Sequence, residues 1–349
     1  MRKHTLVWTF VFCGISSVKA QFDSTKNYKI TGDVDVYYRY NAGGHKYPDS
    51  YTSFTQTANS FELGMASVKL ETSALSNKVN AVVDVGIGPR ARDFSYNDSG
   101  TLAMVKQAYL VYKLNDHIKF TAGKFATHIG YELVDPMLNN NYSMSYMFTN
   151  GPFFHTGAKA TFNYGKIEFS AGVADHYDQT ISKSSTRDLL GQLIYAPNDK
   201  WSYSLNYWGF YGQNSLDPGS GAKSVTQLDF VGSGKLSDVL HIGLNATTQI
   251  MTRPNSLGDG FQDKKWYGAA VYLNYDPNEK IDVSFRSEYI HDKDLIKFAS
   301  PNITAQTLTF DYKIGPLNLM PEIRYDRGSD AIFFDANGNG KKATFSVIF

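Results

Sequence analysis

The stretch WYGAAVYLNY, residues 266–275, puts Tyr267, Ala269, Val271, Leu273 and Tyr275 on one face of an extended strand, because successive side chains of a strand point to opposite sides. The same period of two recurs along the chain. In EKIDVSFRSEYIHD, Ile281, Val283, Phe285 and Tyr289 share one face, and Asp282, Ser284, Arg286 and Glu288 share the other. In WSYSLNYWGFY, Trp201, Tyr203, Leu205, Tyr207 and Tyr211 alternate with Ser202, Ser204 and Asn206. Such strands need an apolar medium on one side and water or a polar interior on the other.

The connections narrow the choice further. Short turns fall near residues 74–77, 115–117, 165, 197–199, 236–238, 276–279 and 315–316. Longer polar links lie between them, at about 41–59, 89–100, 127–152, 178–186, 212–222, 252–263, 292–301 and 328–340. Alternating short turns and long loops, with one apolar face per strand, are the pattern of an all-β, transmembrane, antiparallel up-and-down β-barrel of about 16 strands, with 14–18 as the range. Tyr267 and Tyr275 lie about 26 Å apart along a strand, or roughly 20 Å of height once tilted, which matches the apolar band of such barrels. Aromatic residues near strand ends (Tyr28, Tyr40, Tyr112, Tyr164, Tyr177, Trp201, Tyr211, Tyr289, Tyr312, Tyr325) would form interfacial girdles. A soluble two-layer β protein would also alternate, but its outward rows would be polar. Pro321 interrupts LNLMPEIRY, where it removes a ladder donor, so a bulge or a break is expected there.

Residues 1–20 read as a secretory signal peptide: MRKH, then the uncharged TLVWTFVFCGISSV, then Val18 and Ala20 at the small-residue positions of a cleavage site. The barrel is then residues 21–349. Cys13 is the only cysteine and lies in that leader, which excludes thiol chemistry from the remainder. With 34 basic and 33 acidic residues, the chain offers no basic block for nucleic acid.

A barrel of this size is too wide for side chains to fill and leaves an aqueous channel. Arg39, Lys69, Lys113, Lys119, Lys159, Arg286, Lys313 and Arg324 fall on inward rows. So do Asp33, Asp35, Glu71, Asp84, Glu168, Asp229, Asp282, Glu288, Asp311, Glu322 and Asp326. Both signs occur, so these rows alone set no ion preference. The longest connection, about 127–152, is rich in aromatic and apolar residues and carries Glu132 and Asp135. It either folds into the barrel, with those acids facing Arg39, Arg286 or Arg324, or packs over the mouth. Candidates for the pore lining and constriction are therefore Arg39, Lys124, Glu132, Asp135, Arg286, Glu288, Glu322 and Arg324.

GKFATHIGYE, NNNYSMSYMF and GPFFHTG, within about residues 120–160, resemble the outer-membrane β-barrel porin-2 (OmpL-like) family, which is common in the Bacteroidetes group. The matching positions include Gly123, Lys124, Gly130, Tyr131, Glu132, Tyr142, Pro152, His155 and Gly157. The resemblance implies porin-like architecture and passive transport across the outer membrane, and names no substrate.

Competing chemistry finds little support. The chain has no Gly-x-Ser-x-Gly elbow. DANGNGK puts Asp335, Asn337 and Asn339 at the first three ligand positions of a calcium loop, but Ser346 stands where its glutamate belongs. Trp208, Phe210, Tyr37 and Tyr272 suit either a sugar-stacking track or the filling beneath docked loops. The sequence thus points to a porin for small hydrophilic solutes, with outer-membrane lipid and the barrel-assembly machinery as partners, a homo-oligomer as an option, and no cofactor or enzymatic role. The alternative is an adhesin or structural barrel with a plugged lumen. Phe349 closes an alternating strand, KKATFSVIF, and resembles the terminal signal by which bacterial outer-membrane proteins are recognised for assembly.

Overall fold

A computed structural model describes residues 28–44, 50–182, 184, 186–212 and 221–349. The expected leader lies outside the described residues. Fourteen antiparallel strands follow in chain order: β1 (Tyr28–Asn41), β2 (Ser60–Ala74), β3 (Val79–Ile87), β4 (Val105–Lys113), β5 (Ile118–Ala126), β6 (Phe154–Tyr164), β7 (Ile167–Asp175), β8 (Arg187–Asn198), β9 (Trp201–Tyr211), β10 (Ser224–Lys235), β11 (Leu240–Pro254), β12 (Phe261–Asn278), β13 (Ile281–His291) and β14 (Asn302–Ile314). The fifteenth runs as Leu317–Leu319 and Glu322–Gly328, and the closing strand is Ala343–Ile348. Each strand pairs with its sequence neighbour, and the closing strand returns to β1. The product is a closed 16-stranded barrel.

The seam is short. Arg39, Tyr40 and Asn41 stand opposite Ile348, Val347 and Ser346. Tyr38 and Phe349 exchange two main-chain hydrogen bonds, each 2.9 Å. Pro321 breaks the fifteenth strand without shifting its register. Tyr312 faces Leu319 on one side of the break and Thr309 faces Glu322 on the other. The Pro321 carbonyl still accepts from Phe310 N at 3.0 Å, so a single ladder bond is missing.

Alternation survives in the folded chain. On β12, Tyr267, Val271, Leu273 and Tyr275 are exposed on the outer face, while Trp266, Ala270, Tyr272 and Asn274 are buried inside. Trp201 and Tyr203 stack on the outer face at 6.3 Å. Tyr177 departs from the girdle expectation, because it packs against Trp208 at 4.9 Å within the apolar filling. Half of the link expected at 252–263 is strand: β11 runs to Pro254 and β12 begins at Phe261.

Two bulges interrupt the ladders near the β5–β6 connection. Asp35 pairs with Met65 and Val36 with Leu63, leaving Gly64 as the extra residue of β2. Asp84 pairs with Gln107 and Val85 with Val105, leaving Lys106 as the extra residue of β4. A bulge re-aims the side chains around it.

The interior is not uniformly aqueous. Towards the long-loop end, inward Met251, Trp266, Ala270, Ile290, Ile303 and Ala305 pack with Ile129, Tyr146 and Met147 from the long connection after β5. Polar inward rows border open space mainly at the short-turn end. Cavities of about 790 Å³ and 620 Å³ lie there, along the walls β1–β8 and β8–β13.

Candidate functional site: the loop held in the lumen

The connection between β5 and β6, residues 127–153, folds into the barrel. It begins against the wall at β9 and β10, where His128 Nε2 donates to the Tyr207 carbonyl at 2.9 Å. Gly130 N donates to Asp229 at 2.9 Å. Asn206 and Asn245 also donate to Asp229, at 2.9 and 2.6 Å, so its carboxylate is aimed before the loop arrives. Tyr131 then stacks on Tyr272 at 4.2 Å.

Two arginines fasten the middle of the loop. Arg286 on β13 donates to Glu132 at 2.6 Å, to the Ser143 carbonyl at 2.7 Å and to the Met144 carbonyl at 3.3 Å. Arg324 on the fifteenth strand donates to the Met144 carbonyl at 2.7 Å and to Asp326 at 3.0 Å. The guanidinium fork suits this work, since it serves a carboxylate and a carbonyl at once. Glu322 accepts from Tyr142 N at 2.8 Å and Ser143 N at 3.2 Å.

Beyond Ser143 the chain forms a one-turn helix, Tyr146–Asn150, whose leading N–H groups have no partners within the helix. Three acceptors take them. Glu132 accepts from Ser145 N at 2.8 Å, Glu288 from Tyr146 N at 2.7 Å, and the Ser145 hydroxyl from Phe148 N at 3.1 Å. Glu132 thus binds the wall and the loop's own turn together.

The bulges aim two further tethers. Asp35 accepts from the Tyr142 hydroxyl at 2.7 Å, and a Cβ at Gly64 would collide with the same carboxylate oxygen. Lys106 grips Asp135, with Asp84 at 3.3 Å on its other side. Asp135 therefore meets Lys106, not Arg39, Arg286 or Arg324. Arg39 is buried at the closing seam. Lys124 serves another connection, reaching Asp98 at 3.0 Å and Ser95 at 3.1 Å above the Phe154 ring. Arg286, Glu288, Glu322, Arg324 and Glu132 are all buried, so their charges are spent on one another and on loop backbone. Arg90 and Lys106 were not singled out by sequence reasoning, and Asp229 only as one inward acid among many. Arg90 caps Val134 by donating to its carbonyl at 3.2 Å.

The motif glycines have backbone reasons. Gly123 sits at φ +127, and a Cβ there would collide with the Ala108 carbonyl oxygen. Gly123→Ala is expected to destabilise the barrel by about 1–3 kcal/mol, read as an earlier heat midpoint for loss of the folded gel band. Gly157 allows a close approach of β7, whose Val173 carbonyl oxygen occupies the space of the missing Cβ. Gly130 takes φ +93 where the loop turns towards Tyr131. Pro152 leads into Phe153 and Phe154, and His155 is buried beside the Thr127 hydroxyl at 3.2 Å.

The loop's exit is tied by Asp178, which accepts from Phe153 N at 2.6 Å, Phe154 N at 3.0 Å and the Tyr96 hydroxyl at 3.0 Å. Burial pushes the Asp178 carboxyl up to about 7. A raised folded value means the stabilising contribution is complete below the ordinary carboxylate range and lost as pH rises through about 7. Protease nicking between residues 176 and 186 is expected to be slower near pH 5.5 than near pH 8.5. Asp178→Asn, which mimics the protonated acid, is expected to remove most of that difference.

Asp335 accepts from Asn337 N at 3.0 Å, Asn339 N at 2.9 Å and Asn339 Nδ2 at 3.0 Å, with Lys341 at 3.2 Å. Those donors, Asn339 first, hold its carboxyl down at about 2. A cation would have to displace them, so the segment is built as a self-closed turn. Among the described residues no cluster of three or more His, Cys, Asp or Glu could hold a metal. Tyr37 and Tyr272 contact Tyr142 and Tyr131 of this loop, while Trp208, whose Nε1 donates to Asp188 at 2.5 Å, and Phe210 pack on Tyr177 of the β7–β8 connection.

A closed 16-stranded barrel with its longest loop folded inward has the architecture of a porin. Residues 27–349 match the family described as "Putative beta-barrel porin-2, OmpL-like", and the chain belongs to that family. No curated protein sequence matches it. Solved structures share the fold at low identity. An anion-selective porin from Comamonas acidovorans is 12% identical, with TM-score 0.60 over 92% of this chain and 98% of that one. The outer membrane channel DcaP of Acinetobacter baumannii is 14% identical, with TM-score 0.56 over 94% and 99%. OmpT of Vibrio cholerae in a trimer form is 11% identical, with TM-score 0.56 over 91% and 98%.

Proposed function

We propose that this chain is an outer-membrane porin through which small hydrophilic solutes diffuse passively, with residues 127–153 setting the width of the path. The observation that carries this reading is a polar-clamped loop crossing a closed barrel with cavities to either side. About 790 Å³ opens at the short-turn end and about 230 Å³ at the long-loop end. Diffusion through such a lumen needs no cofactor, and selectivity follows from width and lining charge. On this reading residues 1–20 direct export and are removed, and residues 21–349 form the mature barrel. Phe349 presents the strand end recognised by the assembly machinery, and the exposed apolar rows meet outer-membrane lipid. Homo-oligomerisation is supported by the trimer form of the Vibrio cholerae OmpT and is read from unheated gel migration.

Purified protein in a planar bilayer is expected to give discrete conductance steps, and proteoliposomes to swell in sugars and amino acids. A barrel that folds but gives no steps overturns the porin reading. A second reading, a plugged barrel whose loops serve adhesion or structure, draws on the tight packing of Tyr146, Met147, Trp266 and Ile290 across the lumen. It predicts that silence.

A further inference from the structure

Three lysines stand together on the inner wall at the short-turn end. Lys113 on β4 is the direct cross-strand partner of Lys119 on β5. Lys119 faces Thr161 on β6, and Lys159 lies two residues away on that strand, diagonal to Lys119. All three line the 790 Å³ cavity. Like charges directly opposite one another weaken a sheet, so this placement works against the fold.

The carboxylates nearby do not cancel it. Glu168 pairs with Lys119 at 3.2 Å, and Glu71 with Lys69 at 3.5 Å. Lys29 faces Glu71 across the β1–β2 ladder and lines the same cavity. Lys113 and Lys159 have no carboxylate within ion-pair distance among the described residues. Lys159 holds its ammonium over the Phe125 ring at 4.8 Å, at the inner end of the cavity.

The other lumen charges are buried in the clamp or mixed in sign. Arg286 and Arg324 pair with Glu132, Glu288 and Asp326, all five are buried, and Glu322 is taken up by the loop's own N–H groups. The 620 Å³ cavity mixes Asp199, Asp276 and Asp282 with Lys200, Lys235 and His241. A cleft with an excess of one sign of charge concentrates solutes of the opposite sign, and here Lys29, Lys113, Lys119 and Lys159 outnumber Glu71 and Glu168.

We infer that the Lys113–Lys119–Lys159 cluster is a selectivity site for anionic solutes carrying carboxylate or phosphoryl groups. This rests on the porin reading. It places selectivity on the β4–β6 wall, away from the charged residues that clamp the loop.

The test is the reversal potential of the full-length folded barrel under an about tenfold KCl gradient, with lining charge setting the preference. Chloride is expected to be preferred over potassium by about threefold or more, and less so at high salt, where screening shortens the field. Lys113→Glu combined with Lys159→Glu should reverse the sign while keeping the heat-modifiable gel shift of the folded barrel. Inorganic phosphate or citrate added on the short-turn side should depress the native current and leave that of the variant unchanged. Conductance that prefers potassium, or a variant with native selectivity, overturns the inference and leaves the pore intact. Absence of any conductance in every salt overturns the porin reading and this inference with it.

Discussion

Deleting residues 133–147 is expected to raise single-channel conductance about two- to fivefold, since the constriction of a wide barrel sets its resistance. The deletion removes Asp135, Tyr142, Ser143, Ser145 and Tyr146, and with them the contacts to Lys106, Asp35, Glu322, Arg324 and Glu288. Those wall groups would then face water, where a charge costs little, so the barrel itself should persist. A native barrel and a deleted barrel of equal conductance would show that the loop lies outside the path. A silent native barrel that conducts after deletion would favour the plugged alternative.

Arg286→Met should produce the largest loss of stability from a single substitution, about 3–5 kcal/mol, because it strands buried Glu132 without a counter-charge and takes one of two from buried Glu288. Glu132 loses its 2.6 Å partner, and Glu288 loses a guanidinium at 3.3 Å while keeping Arg324 at 3.4 Å and the Tyr146 N–H at 2.7 Å. The Ser143 and Met144 carbonyls lose a donor as well. Conductance should become noisy as the loop leaves the wall, and the midpoint of the folded gel band on heating should fall. Adding Glu132→Leu to Arg286→Met is expected to recover part of the loss, because an apolar pair replaces an orphaned charge. A double variant as unstable as the two losses summed would mean that the residues act independently.

Much of the fold is legible as period-two rows separated by alternating short and long links, since the barrel imposes that rhythm on every strand. The Glu132–Arg286 contact is legible only as one of six pairings, two loop acids against three inward arginines. Lys106 is a different matter. By simple alternation it belongs on the face opposite Gln107, and only the bulge turns it towards Asp84 and Asp135. A bulge adds one residue without a composition signal. The apolar filling of the long-loop end is hidden in the sequence as well. Ile290 and Ala305 read as ordinary strand residues until the loop supplies Tyr146 and Met147 to cover them. The excess of lysine on β4–β6 is visible residue by residue, but its meaning depends on which neighbouring charges the loop neutralises.

The clamp also carries information about the order of assembly. The loop leaves β5 early in the chain, yet Arg286, Glu288, Glu322 and Arg324 all come from its last quarter, and Asp35 comes from its first strand. Asp35 and Lys106 can hold one side of the loop early, but the last-quarter group completes the clamp only when the two ends of the wall have met. Complete docking is therefore a late event, conditional on the sheet having curled into a ring, and the loop behaves as a keystone. Its resistance to protease during refolding should appear together with the seam between Tyr38 and Phe349, after most strands have already paired with their neighbours.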